Sequence, residues 1–160
     1  MRVGVISDTH NHLPNVARIV ELLNAARIDA VVHTGDITRA ATLEALSRIR
    51  APLVAVLGNN DERDGLCEVA PHLGARVAEG PLELAWAGRR IVVVHDPRDL
   101  DWARRPEHEL ALHGHDHRYR LERSDGCTIF NPGESAGHLP GRSAVGVVDL
   151  ETLAVELLHF

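Results

Sequence analysis

Hydrophobic positions in this chain come in short runs whose period changes along its length. Val3, Val5 and Ile6 form a nearly continuous apolar run, the pattern of a strand buried on both faces. Pro14 then stands where a first helical turn accepts it. Val16, Ile19, Val20 and Leu23 recur at helical spacing and predict a helix to about residue 26. Residues 30–34 predict a second strand and 39–49 a helix that buries Leu43, Leu46 and Ile49. Residues 53–57 predict a third strand. A β-α-β-α-β order of this kind implies parallel strands joined by helical crossovers.

After residue 80 the texture turns to strands. Residues 82–86 alternate, and Ala87-Gly88 predicts a turn into the apolar run 91–95. Residues 99–104 predict one or two helical turns before Pro106, and 110–113 another strand. Residues 119–122 and 127–130 flank Asp125-Gly126, a strong hairpin pair. Residues 144–149 and 153–158 predict a closing hairpin. The chain has no internal repeat, low-complexity stretch or linker, so one domain spanning residues 1–160 is expected, with two sheets packed face to face.

Composition narrows the function classes. At 160 residues the chain is long enough for a sizeable core. No apolar run approaches the ~20 residues of a membrane span, and the start lacks the pattern of a signal peptide. A net charge of −6 and 3% aromatic residues argue against stable nucleic-acid binding, while leaving room for a small nucleotide substrate. Cys67 and Cys127 are too few for a disulfide framework, which makes a reducing cytoplasm the expected location. The compositional oddity is eleven histidines with no terminal His run.

The apolar runs end in a common way. The first ends in Asp8-Thr9-His10, the second in Gly35-Asp36 and the third in Gly58-Asn59. A later one ends in His95, and another in Gly114-His115-Asp116-His117. In extended backbone, residues i and i+2 point the same way, which predicts that Asp8 and His10 converge. Taken singly, Asp8 and His10 read as turn residues, Asp36 as a turn residue after glycine, and Asn59 as a cap. Jointly, seven polar side chains at neighbouring strand ends imply a shared partner, because buried polar groups are costly unless satisfied. Imidazole and carboxylate ligands without thiolate suit Mn²⁺, Fe, Zn²⁺ or Ni²⁺ rather than Ca²⁺.

These motifs, in this order, resemble the calcineurin-like metallophosphoesterases. Within that family they resemble the small bacterial and archaeal phosphodiesterases related to the retromer subunit Vps29, and Asn131-Pro132-Gly133 resembles the family's late turn. The resemblance implies a four-layer α/β/β/α sandwich of two mixed β-sheets, and two divalent transition-metal ions, Mn²⁺ foremost. Asp8, His10, Asp36 and His117 would hold one ion, and Asp36, Asn59, His95 and His115 the other, with Asp36 as the bridge. It implies a hydrolase acting on a small phosphate ester, a diester first. Attack would come from a metal-bridging hydroxide, with Asp36, Asn59 and His95 as the catalytic group. A homo-oligomer is allowed. The alternative is a Vps29-like protein-binding scaffold with a vestigial metal site.

Two positions depart from the family pattern. Asn60 stands where many members carry a histidine that assists the leaving group, and an amide is no acid at neutral pH. Asp96-Pro97 follows His95 where the family commonly reads Gly-His; this carboxylate could repel substrate, bind it, or cap the next helical turn. Asn60 and Arg63 are the candidate substrate-binding residues, with a surface salt bridge the other reading of Arg63. His33 reads either as an orienting neighbour of the ligands or as a core histidine. His12 and His138 lie in loops near the site but read as solvated. His72, His108 and His159 read as surface residues, and the two cysteines as packing residues.

Overall fold

The computed structural model describes residues 1–138 and 141–160. Its first half follows the predicted alternation. β1 (Arg2–Ile6) and β2 (Ala30–His33) are buried on both faces, and β3 (Leu53–Val56) nearly so. Val3, Val5, Val32 and Val56 point into the space between two sheets. Ile6, Val31 and Ala55 point the other way, toward a helical layer. α1 (Leu13–Ala25) opens with Pro14 in its first turn and with the His12 ring accepting the Asn15 amide. Its buried stripe is Val16, Ile19 and Leu23. α2 (Ala40–Leu46) is shorter than its apolar pattern. Its Ser47 hydroxyl donates to the Glu44 carbonyl, and the chain turns so that Ile49 still reaches the same core.

Between residues 63 and 78 the structure contains elements that the hydrophobic pattern does not announce. α3 (Arg63–Val69) runs into a 3-10 turn (Ala70–Leu73), and β4 (Arg76–Ala78) pairs parallel with β3. Gly65 and Pro71 break up the helical signal, and a three-residue strand with no fully buried position carries no period of its own.

The later strands match their patterns: β5 (Leu82–Trp86), β6 (Arg89–Val93), β7 (Leu110–Leu112), β8 (Tyr119–Ser124), β9 (Cys127–Pro132), β10 (Ala144–Asp149) and β11 (Ala154–His159). One sheet has the order β11-β10-β1-β2-β3-β4 and the other β5-β6-β7-β9-β8. Both are mixed, with parallel pairs at β1–β2–β3–β4 and β6–β7–β9 and antiparallel pairs outside them. Phe130, Ile91, Leu110 and Leu112 fill the inter-sheet core against Val3, Val5 and Val148. On the outer face of the second sheet, α4 (Leu100–Ala103) packs Leu100 and Ala103 on Val92, Val94 and Ile129. This gives a four-layer α/β/β/α sandwich whose fourth layer is thin.

Two surface expectations are corrected. His108 is buried; its Nδ1 accepts the Arg105 amide at 2.9 Å, so it caps a turn inside the fold. Cys67 is exposed and only Cys127 packs.

Candidate metal centre

The ends of β1, β2 and β3 from one sheet meet the ends of β6 and β7 from the other, and all seven predicted ligands come together there. They arrive by a route other than strand alternation. Asp8 (φ 51°), His10 (φ 42°), Asp36 (φ 58°), His115 (φ 73°) and His117 (φ 56°) have left-handed backbone, so Asp8 and His10 converge through tight turns and not along a strand. Such conformations are uncommon outside glycine and persist where the surroundings hold them. Here Asp8 N donates to Gly35 O (3.1 Å) and His10 N to Asp36 O (3.0 Å). His115 N donates to both Asp8 carboxylate oxygens, at 3.3 and 3.1 Å.

Asp36 stands between two groups of donors. Its Oδ2 lies 3.6 Å from His10 Nε2 and its Oδ1 lies 3.5 Å from His95 Nε2. On the first side, His117 Nε2 is 3.1 Å from His10 Nε2 and 3.6 Å from Asp8 Oδ1. On the second, Asn59 Oδ1 is 2.9 Å from His95 Nε2 and 3.0 Å from His115 Nδ1, and those two nitrogens are 3.3 Å apart. Donors bonded at about 2.1 Å to one transition-metal ion sit about 3 Å from each other. The donor set and these separations therefore fit two divalent ions, one on each side of Asp36. The tautomer of one predicted ligand is also set: His95 Nδ1 donates to Thr34 O (2.9 Å), which leaves Nε2 with a lone pair facing Asp36 and Asn59.

Burial and charge act differently on the two carboxylates. Burial pushes the Asp8 carboxyl up from its usual range, against the Ser7 hydroxyl that donates to it. Burial would also raise Asp36, but the Asn60 backbone amide (2.9 Å) and side-chain amide (2.8 Å), with His95 and His10 nearby, hold it below the usual range. Burial lowers His10 as well, favouring the neutral, ligating form. His33 is fully buried and pushed down to about 3 by that burial. It accepts the Gly35 amide at Nδ1 (3.1 Å) and meets Thr9 Oγ1 at Nε2 (3.1 Å), tying the first two motif turns together.

Glycine is required at two of these turns by lack of space. A Cβ on Gly114 would fall on Ser7 Oγ and within 2.9 Å of Asp8 Oδ2, and one on Gly58 would fall on the Asp36 carboxylate.

Three residues outside the seven predicted ligands also build the site, and their type and spacing give little sign of it; one of them, Glu134, forms with His117 and His138 a further group that could hold an ion. Asp61 accepts from Gly58 N (2.7 Å), Asp36 N (3.2 Å) and Thr38 N, lacing the second and third turns to one carboxylate. Asn131 donates to Asp116 (2.7 Å) and accepts from Gly133 N (2.8 Å), so the late Asn-Pro-Gly turn fastens the loop of His115 and His117. Glu134 is buried with Oε2 3.9 Å from His117 Nδ1, a carboxylate behind the imidazole of a predicted ligand. A carboxylate directly after Gly58-Asn59-Asn60, and another directly after Asn131-Pro132-Gly133, are the available signals. The two candidate substrate residues are placed otherwise: Asn60 bonds Asp36, and the Arg63 guanidinium pairs with Glu79. His138 is exposed, but its ring stacks on His117 at 5.8 Å.

A cavity of about 530 Å³ lies instead between α1 and α2, lined by Leu13, Val20, Ala41 and Ala45. It contains no histidine, and among the described residues the metal-competent groups gather at the strand ends.

Comparison with known proteins identifies relatives of the chain and of its fold. The chain is 28% identical over 156 residues to a phosphodiesterase of Methanocaldococcus jannaschii, covering 94% of each. The structure of a novel archaeal phosphodiesterase superposes with a TM-score of 0.91 at 26% identity, covering 100% of both chains. Vps29 of Entamoeba histolytica, solved with Zn²⁺, shares the fold at a TM-score of 0.73 and 20% identity, covering 100% of this chain and 98% of that one. The family model for the calcineurin-like phosphoesterase superfamily domain matches residues 1–153, so the chain belongs to that superfamily and is a phosphoester hydrolase.

Proposed function

We propose that the protein is a dinuclear metal-dependent phosphodiesterase of the cytoplasm, loaded with Mn²⁺ in preference to Fe, Zn²⁺ or Ni²⁺. The carrying observation is that the two oxygens of Asp36 face two separate imidazole groups, His10 on one side and His95 on the other. Asp8, His10, Asp36 and His117 would hold one ion, and Asp36, Asn59, His95 and His115 the other. Bound there, two divalent ions supply positive charge and Lewis acidity at a phosphoryl group.

The protein's own groups shape what that chemistry can use. Asn59 contributes an oxygen without adding a negative charge, so Asp8 and Asp36 alone offset the ions and the site attracts an anionic phosphate despite the acidic chain. Asn60 is bonded to Asp36 and cannot protonate a leaving group, which favours esters whose leaving group departs unaided. Among the described residues no serine, cysteine or further histidine is arranged as a nucleophile, which supports direct attack of hydroxide with no covalent enzyme intermediate. A scaffold with a vestigial site would be expected to have lost a ligand, and all seven positions carry competent side chains.

The test is hydrolysis of bis-p-nitrophenyl phosphate against p-nitrophenyl phosphate, with Mn²⁺ and after chelation. Turnover that favours the diester and disappears on chelation is expected, and Asp36→Asn should lose both metal and turnover. An inactive protein carrying two ions per chain would turn the reading to the scaffold.

A further inference from the structure

Asp96 and Arg98 form a unit that the metal centre described above does not use. Asp96 ends the strand region after His95 and caps the 3-10 turn Pro97–Asp99, accepting the Arg98 amide at 2.9 Å. The same carboxylate receives the Arg98 side chain as a fork: Nε donates to both oxygens at 3.0 Å and Nη2 donates to Oδ2 at 2.5 Å. Backbone and side chain of one arginine are therefore fixed by one carboxylate, a pre-organisation that a lone exposed arginine lacks. That carboxylate flanks the centre, since Asp96 Oδ2 lies 3.8 Å from Nε2 of His115, the other nitrogen of the ring whose Nδ1 faces Asn59 and His95. The guanidinium thus stands one carboxylate away from a ligand ring on the His95 side.

The rest of its surroundings leave it available. The Arg98 side chain is 82% exposed, with Nη1 taking no part in the Asp96 fork. Arg63, the guanidinium expected at the site from sequence, is engaged by Glu79.

We propose that Arg98 is the anion-binding arm of the His95–Asn59–His115 half of the centre, gripping a non-bridging oxygen of the substrate phosphate, and that Asp96 is its positioning residue. The proposal deepens the phosphodiesterase reading and rests on it for the identity of the anion. Asp96 does not act as a repelling charge in this arrangement, because the fork neutralises it.

The experiment uses the Mn²⁺-loaded full chain, with bis-p-nitrophenyl phosphate as substrate and inorganic phosphate as probe. Losing a charge-assisted hydrogen bond weakens binding by about ten-fold or more. Arg98→Ala should therefore raise KM, and weaken phosphate binding measured by calorimetry, by at least that factor, while kcat moves less and two ions per chain remain. Arg98→Lys should recover part of the loss, since a point charge replaces the fork. Asp96→Asn should reproduce the Arg98→Ala phenotype, and the double variant should be no worse than either single one. Unchanged KM and phosphate binding in Arg98→Ala would overturn the proposal, as would loss of an ion in Asp96→Asn while Arg98→Ala is silent, which would assign Asp96 to His115 instead. If the unaltered protein turns nothing over yet Arg98→Ala still weakens phosphate binding, the arm stands and the phosphodiesterase reading falls.

Discussion

Asp61 contacts no ion in the assigned ligand sets, yet its carboxylate accepts from the amides of Gly58, Asp36 and Thr38. Burial pushes its carboxyl up from the usual range, and the donated hydrogen bonds oppose that shift. Replacing it with asparagine keeps the shape but turns one acceptor into a donor, which then faces an N–H. At least one amide is left unpaired, and the turns that carry Asp36 and Asn59 loosen. Neighbours that orient ligands typically contribute 10–100-fold to metal affinity. Asp61→Asn should weaken Mn²⁺ binding in calorimetry by about that range while all seven ligands remain in place. An unchanged affinity would show that the turns hold their left-handed conformations without it. The contrast with Asn60 is instructive: Asn60 bonds Asp36 directly and is exposed, so one residue of the Gly58–Asp61 stretch orients the Asp36 carboxylate itself and another orients the backbone around it.

At the level of elements, the site is a set of strand ends brought close enough to touch, and two glycines separate that requirement from ordinary helix propensity. Gly114 has Ser7 Oγ and Asp8 Oδ2 where its Cβ would go, so alanine there must push the second sheet's loop away from β1. Overpacking of this kind costs about 1–3 kcal/mol, and Gly114→Ala should lower the unfolding temperature and the bound metal together. Gly65 lies inside α3 with nothing within 4 Å of its Cβ position. Gly65→Ala should stabilise by about 0.5–1 kcal/mol in thermal unfolding and leave metal content alone. The same contrast explains what was legible in the sequence. Strands buried on both faces write continuous apolar runs, and a polar side chain that ends such a run stands out, so β1, β2, β3, β6, β7 and the seven converging side chains could be read. α3 and β4 could not, because a seven-residue helix with an internal glycine and a three-residue half-exposed strand take their stability from neighbours rather than from their own pattern. Left-handed turns at Asp8 and His117 leave no periodic trace, and neither do the roles of Asp61 and Glu134, which depend on backbone amides or on a ring far away in sequence.

On the scale of the whole molecule, the centre joins the two sheets. Asp8, His10, Asp36 and Asn59 come from the β1–β2–β3 side, while His95, His115 and His117 come from β6 and β7. The apolar inter-sheet core already holds the sandwich together, so ions are not needed for the fold to form. Around the centre, however, the left-handed backbone of five predicted ligands and the burial of the Asp8 carboxylate in the field of Asp36 work against the native state. A ligand that binds only the folded chain adds RT ln(1 + [L]/Kd), about 2.7 kcal/mol at a hundred times Kd for one site. Metal-free protein should therefore unfold cooperatively but at a lower temperature than protein saturated with Mn²⁺, and the gap should widen with metal concentration. Asp36→Asn removes the residue shared by both halves, so its unfolding temperature should hardly respond to Mn²⁺. A full metal-dependent rise in that variant would remove Asp36 from the bridge. The absence of any rise in the unaltered protein would mean that the converging donors hold each other rather than an ion. Differential scanning calorimetry of the two proteins, each with and without Mn²⁺, decides between these outcomes without any substrate, and so tests the metal centre independently of the reaction assigned to it.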